Sequence, residues 1–588
     1  MHTGHVQFKK QGLTPTWLLA AAVLLVYANS WSNPFILDDV THLLQDPRIG
    51  EWKNWTEVFR SPFFEFKEAG LAQYYRPLTR LTYKAEWLFF GGLPFGYHLV
   101  NTAFHLLNTL LLYLICRRLA GRGPAFLAAL IFGIHPLQAE EVSYISGLGG
   151  VASVSGILAS LYCFIRFLKN RRFVWYLSSL LFFLIGLLYK EVALLGPVLL
   201  AWLVLTAIPS GGEETLPRGT AVWFVLPFFL LAGGYLILRV FFLIRADFTA
   251  GLADGLWLRF LTFGKGIWIY LGLALFPFRL HFYRSLEVLS HGWHVLPLLL
   301  LGGGAAGLLR SVRRPGRPFS LFAFGFGWFL IGLLPFSGIN PIYLEREFLY
   351  WAEHFMYLPL AGLGIALAAA FTGRGKGLPA VTARVCLVLI VCVLALLTVR
   401  QNEFWSDETV FFERMSRHEP DLFRTASLLG IAYYKEGRID EAIAADLRAR
   451  ALLFARNPVS SGKDLLPMER YQLKIILWRL SQGCRSARRY DEARQAAREL
   501  LEISPDGYEG RYLLGRAFLE SGDGAEALPF LEEAYRLRPD DYEVARALIL
   551  CCRQRGDQAR AREVWSEASR RIPAFSKARE ILKQRYEK

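Results

Sequence analysis

Apolar residues run almost unbroken through twelve stretches of the first 400 residues. They lie at roughly 14–31, 97–116, 123–134, 148–168, 173–189, 191–208, 220–244, 256–276, 291–309, 318–336, 355–372 and 379–399. About 20 helical residues cross the hydrocarbon core of a bilayer, so residues 1–400 are expected to form a multi-span helical membrane domain. From residue 401 the pattern becomes amphipathic and repeats itself. Pro505, Pro539 and Pro573 are 34 residues apart, as are Ala493, Ala527 and Ala561, Gly522 and Gly556, and Ala534 and Ala568. That period, with small residues where paired helices touch and Pro closing each unit, is the tetratricopeptide pattern. An earlier copy runs Gly430, Tyr433, Gly437, Ala442, Ala449, and the phase then breaks at 457–468. The fold expected is all-α, a polytopic membrane domain (1–400) followed by a solenoid of about four repeats (401–588).

Charge orients the membrane part. The chain carries 66 Lys+Arg and 50 Asp+Glu, and residues 401–588 hold 33 and 31 of them. The basic excess therefore sits among the spans, where positively charged loops face the cytoplasm. Lys9/Lys10, Arg117/Arg118, Lys169–Arg172, Arg310–Arg317 and Arg374–Lys376 are assigned to that side. The loop 32–96, the turn His135–Glu141 and the loop Pro335–Leu358 then face outward. Treating 256–276, which contains Lys265, as re-entrant or interfacial leaves eleven crossings and puts the repeats outside. The first stretch, with no clear cleavage site after it, is read as a retained helix. A nearly neutral soluble part excludes nucleic acid as a partner. The seven cysteines show no CxxC or Cys/His ligand spacing, so neither a metal site nor a disulfide framework is indicated.

Candidate chemistry clusters on the outer side. Asp38 and Asp39 follow the first span directly, beside Phe35, Ile36 and Leu37. Carboxylates at a bilayer edge are costly unless solvated or paired, and such a group can take the proton of an acceptor hydroxyl. The same side carries Arg76, His135, Glu140, Lys190, Glu191, Arg346, Glu353 and His354, whose cations suit a lipid phosphate. No Walker loop and no dinucleotide fingerprint occurs. An enzyme built this way needs an activated substrate already in the membrane, and a polyprenyl-phosphate sugar meets that need.

The ordered segments YRPL (75–78), PFGYHLVNTAFHLLNTLLLY (94–113), IFGIHPLQAEEV (131–142), LYKE (188–191) and EHFMYLPLAG (353–362) lead through 405–408 into the repeats. In this order they resemble the transmembrane and tetratricopeptide-repeat O-mannosyltransferases and their bacterial relatives, within the GT-C glycosyltransferases. The resemblance implies a dolichyl- or undecaprenyl-phosphate sugar, possibly mannose-bearing, as co-substrate and a protein hydroxyl as acceptor. It also implies a cavity open to the periplasm or lumen, with the base among Asp38 and Asp39, Asp39 being preferred. Glu140 matches the family's HPxxxE glutamate, and Lys190 with Glu191 its Lys-Glu pair. Two positions depart from the pattern. GLGG (147–150) stands where the family carries Arg and Asp. Glu353-His354 replaces a Glu-Arg pair, with Arg346, one or two helical turns away, as the substitute cation.

These readings give a glycosyltransferase of a bacterial inner membrane, with periplasmic repeats that recruit the acceptor protein. An endoplasmic-reticulum membrane with lumenal repeats is the eukaryotic equivalent. No cofactor is called for, although carboxylates at such a site leave a divalent cation open. The two departures motivate the alternative, a non-catalytic membrane-anchored scaffold for envelope or glycan assembly.

Overall fold

A computed structural model describes residues 14–66, 71–207, 216–243, 256–287, 302, 318–337, 343–345, 348–372, 380–456, 462–465 and 467–572. Lys9/Lys10, the basic clusters 310–317 and 374–376, Arg346 and nearly all of the stretch 291–309 lie outside these residues, as do 457–461 and Pro573. The chain divides into two units, Met1–Phe411 and Phe412–Lys588, eleven residues beyond the boundary expected from the sequence.

In the first unit, each of the other eleven apolar stretches is helical. Among the described residues, five helices are long and apolar enough to cross a membrane, Pro94–Ala120, Ile145–Asn170, Gly219–Arg239, Glu353–Ala370 and Arg384–Glu403, and five shorter apolar helices accompany them. The stretch 256–276, expected to be re-entrant or interfacial, is one unbroken helix, Leu256–Leu275, as an interfacial segment can be. A bent pair of helices occurs elsewhere. Arg122–Ile134 and Pro136–Ser143 meet at a 52° bend. Pro136 cannot donate its backbone nitrogen, and the residue before a proline is driven out of the helical region, as His135 is at φ −78°, ψ 131°.

Small residues let the helices of this unit approach. A Cβ on Gly156 would lie 2.6 Å from the Gly186 Cα, and one on Gly325 would lie 2.5 Å from the Gly362 carbonyl oxygen. A buried polar stripe on Pro94–Ala120 then fixes the bent segment. Asn101 Nδ2 donates to the Tyr144 carbonyl at 2.9 Å, and Asn108 Nδ2 donates to Val151 O at 2.8 Å. Among the described residues, loops between the helices add two small antiparallel sheets to the otherwise helical framework. Phe64–Phe66 pairs with Leu71–Gln73, and Phe348–Trp351 lies between Arg284–Glu287 and Tyr343–Glu345. The segment before Glu353 is thus extended, which corrects the helical spacing expected around Arg346. Its aromatic run, Phe348-Leu-Tyr-Trp351, favours a strand.

The second unit contains four helix pairs: Phe423–Lys435 with Ile439–Arg456, Pro467–Ser486 with Tyr490–Ile503, Tyr508–Glu520 with Gly524–Leu537, and Tyr542–Gln554 with Gln558–Arg571. Ala493, Ala527 and Ala561 are buried at the repeating contacts. Gly437, Gly522 and Gly556 turn their pairs at φ +77°, +96° and +81°, and Arg488 takes the same left-handed conformation in the second pair, where glycine is missing. One buried ion pair crosses the first two repeats. Arg479 donates to Asp446 at 2.5 and 3.1 Å and to Ser427 Oγ at 2.8 Å.

Removing one member of a buried pair strands the other. Asp446→Ala is therefore expected to destabilise the repeats by about 3–5 kcal/mol. Chemical denaturation of the full chain, followed by proteolysis within 412–572, reads this out. An Asp446→Ala/Arg479→Met double variant should recover most of the loss.

Candidate active site

Three stretches distant in sequence meet in the first unit. The loop after the first helix carries Asp38 and Asp39. Asp39 is 1% exposed, and both of its oxygens are occupied. Its Oδ1 accepts from the Ser146 amide at 2.8 Å and the Ser146 hydroxyl at 2.5 Å, while Oδ2 accepts from the Ile36 amide at 3.3 Å. Burial pushes its carboxyl up to about 7, against the lowering effect of those hydrogen bonds. Asp38 is exposed, and its amide donates to Tyr144 Oη at 3.1 Å. Both oxygens of Asp39 are thus engaged in holding the loop.

Downstream of the bend, Glu140 accepts from the His354 amide at 3.1 Å and from His354 Nδ1. Its neighbour Glu141 takes Lys190 Nζ at 3.2 Å. Glu191 in turn accepts both Nε and Nη2 of Arg76, at 3.0 and 2.6 Å, and the Arg76 guanidinium lies 4.1 Å from the centre of the Tyr74 ring. Glu353 accepts from the His281 amide at 2.5 Å and faces Arg284 at 3.4 Å. Glu140 and Glu141 are adjacent, as are Lys190 and Glu191, so the His354, Lys190 and Arg76 contacts run on from one another. Each glutamate holds a basic side chain in place, while Lys190 and His354 keep about a fifth of their side-chain surface open.

His135 does not join this group as a ligand. Its Nδ1 accepts from the Leu137 amide at 3.2 Å, and its Nε2 lies 3.0 Å from the Ala274 carbonyl. With both nitrogens used and 1% exposure, it caps the bend. Among the described residues no group of three or more His, Cys, Asp or Glu could hold a metal ion.

The GLGG departure has a steric reason. A Cβ on Gly150 would fall 1.3 Å from Glu141 Oε1 and 3.1 Å from Lys190 Nζ, and one on Gly147 would fall 2.1 Å from the Glu141 carbonyl oxygen. The glycines clear room for the Glu141–Lys190 pair. Sequence reasoning missed Tyr144, Ser146 and Arg284. The polar run Ser143–Ser146 directly after HPLQAEEV was the available signal for the first two.

Gly150→Ala is accordingly expected to drive Glu141 off Lys190 and to cost about 1–3 kcal/mol, the range for overpacking. Adding Glu141→Ala should return most of the lost thermal stability. Asp39 sets a pH signature. An ordinary unfolded carboxyl titrates near 4, so its raised folded value favours folding fully below that pH, and the benefit is lost as pH rises through about 7. Thermal melts of wild type and Asp39→Asn from pH 5 to 8 should show wild type losing stability relative to the variant. A pH-independent gap would contradict the assignment.

Residues 77–232 match the family model described as dolichyl-phosphate-mannose-protein mannosyltransferase, and residues 485–542 and 512–574 match a tetratricopeptide-repeat model. Protein O-mannosyl-transferase tmtc2 of Xenopus laevis is 31% identical over 183 residues, covering 30% of this chain and 22% of that protein. Protein O-mannosyl-transferase Tmtc1 of Drosophila melanogaster is 27% identical over 301 residues, covering 46% and 34%. The chain thus spans no more than about a third of the length of these relatives. The apo oligosaccharyltransferase structure from Archaeoglobus fulgidus aligns with 67% of this chain and 56% of that one, at 15% identity and a TM-score of 0.35. In its spans and in its repeats the chain is therefore similar to the transmembrane and tetratricopeptide-repeat protein O-mannosyltransferases.

Proposed function

We propose that this protein is a GT-C type membrane glycosyltransferase that moves a sugar, mannose by analogy with its relatives, from a polyprenyl phosphate to a protein hydroxyl. The observation that supports the reading is the grouping of an exposed Asp38, on the Tyr144 turn, with the linked Arg76–Glu191, Lys190–Glu141 and His354–Glu140 contacts. In this account Asp38 takes the acceptor hydroxyl proton as the oxygen attacks the anomeric carbon. The bond from that carbon to the phosphate oxygen breaks, and the polyprenyl phosphate leaves with the extra negative charge. Lys190 and Arg76, pre-positioned by Glu141 and Glu191, offset that charge where it develops. Asp39 keeps the loop in place and does not touch the substrate. The reaction faces the periplasm or lumen, in keeping with the basic excess assigned to the cytoplasmic loops. The repeats recruit the acceptor, since such arrays present a concave surface to extended peptides.

Full-length protein in nanodiscs, supplied with a short-chain polyprenyl-phosphate mannose and a Ser/Thr-rich peptide, tests the assignment. Asp38→Asn is expected to lower kcat by about 10²–10⁴, the usual contribution of a general base. Lys190→Ala should weaken donor use while the peptide KM stays unchanged. Wild-type turnover by Asp38→Asn and Asp39→Asn alike would remove the base from both positions.

A further inference from the structure

Asp38 sits on backbone that is hard to hold. Leu37, just before it, adopts φ +53°, a left-handed conformation that a bulky residue avoids. Such a conformation persists only where its surroundings over-determine it. Asp39 provides one restraint through Ser146 and Ile36. The other acts on Asp38 itself, whose amide donates to Tyr144 Oη at 3.1 Å.

Tyr144 is in turn fixed from the far end of the unit. Its ring stacks on Trp405 at 5.2 Å and 26°. Phe282 packs edge-on against both rings, at 5.7 and 5.6 Å, and Phe411 closes on Trp405 at 4.8 Å. Trp405 is 2% exposed, and its Nε1 finds no hydrogen-bond partner among the described residues. The indole is therefore held for its ring face, since a buried donor left unpaired costs stability. Asn402, one turn earlier, ties the same elements together. Its Oδ1 accepts from Ser143 Oγ at 2.8 Å, its carbonyl accepts from Asn33 Nδ2 at 3.1 Å, and its Nδ2 donates to Asn29 Oδ1 at 2.9 Å. The segment 402–411 thus grips both the turn that carries Tyr144 and the chain leading into Asp38.

We infer that Tyr144, backed by Trp405, is a positioning residue for Asp38, so that the junction following the last span is part of the reaction centre's scaffold. The inference rests on the proposed role of Asp38. It assigns a function to a segment that otherwise only connects the spans to the repeats. Tyr144 and Trp405 touch no reacting atom; they set the place from which the carboxylate works.

Hydrogen–deuterium exchange on the full-length protein in nanodiscs, read at the peptide spanning residues 35–41, gives a measurement independent of turnover. Tyr144→Phe removes the acceptor of the Asp38 amide and should speed exchange there about fivefold to tenfold, the scale of one net hydrogen bond. Trp405→Ala should do the same, and Trp405→Phe, which keeps a ring and loses only the unpaired N–H, should stay near wild type. In the transfer assay Tyr144→Phe and Trp405→Ala should lower kcat about tenfold with both KM values unchanged, and Trp405→Phe should restore it. Wild-type exchange in Tyr144→Phe overturns the inference even if Trp405→Ala fails to fold. Altered exchange with full activity in Asp38→Asn would leave the restraint standing and sink the base assignment instead. Loss of activity in Asp38→Asn with unaltered Tyr144→Phe kinetics would do the reverse.

Discussion

A buried carboxylate, that of Asp39, fastens the loop after the first helix to the turn beyond the Pro136 bend, and the geometry of the site depends on that fastening. Its oxygens accept from the amide and hydroxyl of Ser146 and from the amide of Ile36. A carboxylate placed there without donors would carry a heavy desolvation cost. The two ends of the contact are 107 residues apart, so the helices between them must deliver Ser146 to the right place. They do so through the break at His135–Pro136 and through the Asn101 amide, which takes up the carbonyl of Tyr144. Changing any of these moves the loop that bears Asp38.

Around that fixed loop, basic side chains are held by acidic partners, Arg76 by Glu191, Lys190 by Glu141 and Arg284 by Glu353, while His354 is hydrogen-bonded to Glu140. Pairing of this kind adds little net stability, because desolvation offsets attraction. It serves orientation. A cation already in position needs no reorganisation when a phosphate acquires charge, and electrostatic catalysis depends on that economy. The glycines at 147 and 150 belong to the same design, since side chains there would occupy the space of the Glu141–Lys190 pair.

Much of this was legible in the sequence. The repeats declared themselves because each 34-residue unit needs small residues at the same contacts, and the left-handed turns of Gly437, Gly522 and Gly556 bear that out. The helical spans were legible from apolar length. The acidic pair was legible from its position at the end of the first helix, but the division of labour within it was not, because it depends on Ser146 far along the chain. His135 had the composition of a ligand and turned out to cap a bend, which only the Ala274 carbonyl reveals. The strand before Glu353 was hidden in an aromatic run that suits helix or sheet, and its partner, Arg284–Glu287, is some 60 residues earlier. Trp405 and Asn402 gave no local signal, since their contacts reach back more than 250 residues.

The central claim is that Asp38, Arg76, Lys190 and His354 form one lipid-phosphate site. A cryo-electron microscopy structure of the full chain with a short-chain polyprenyl-phosphate sugar tests it most directly. Phosphate density against Lys190 and Arg76, with the sugar's anomeric carbon turned toward Asp38, is the predicted result. A well-ordered donor bound elsewhere, with Asp38 remote from its sugar, would contradict it.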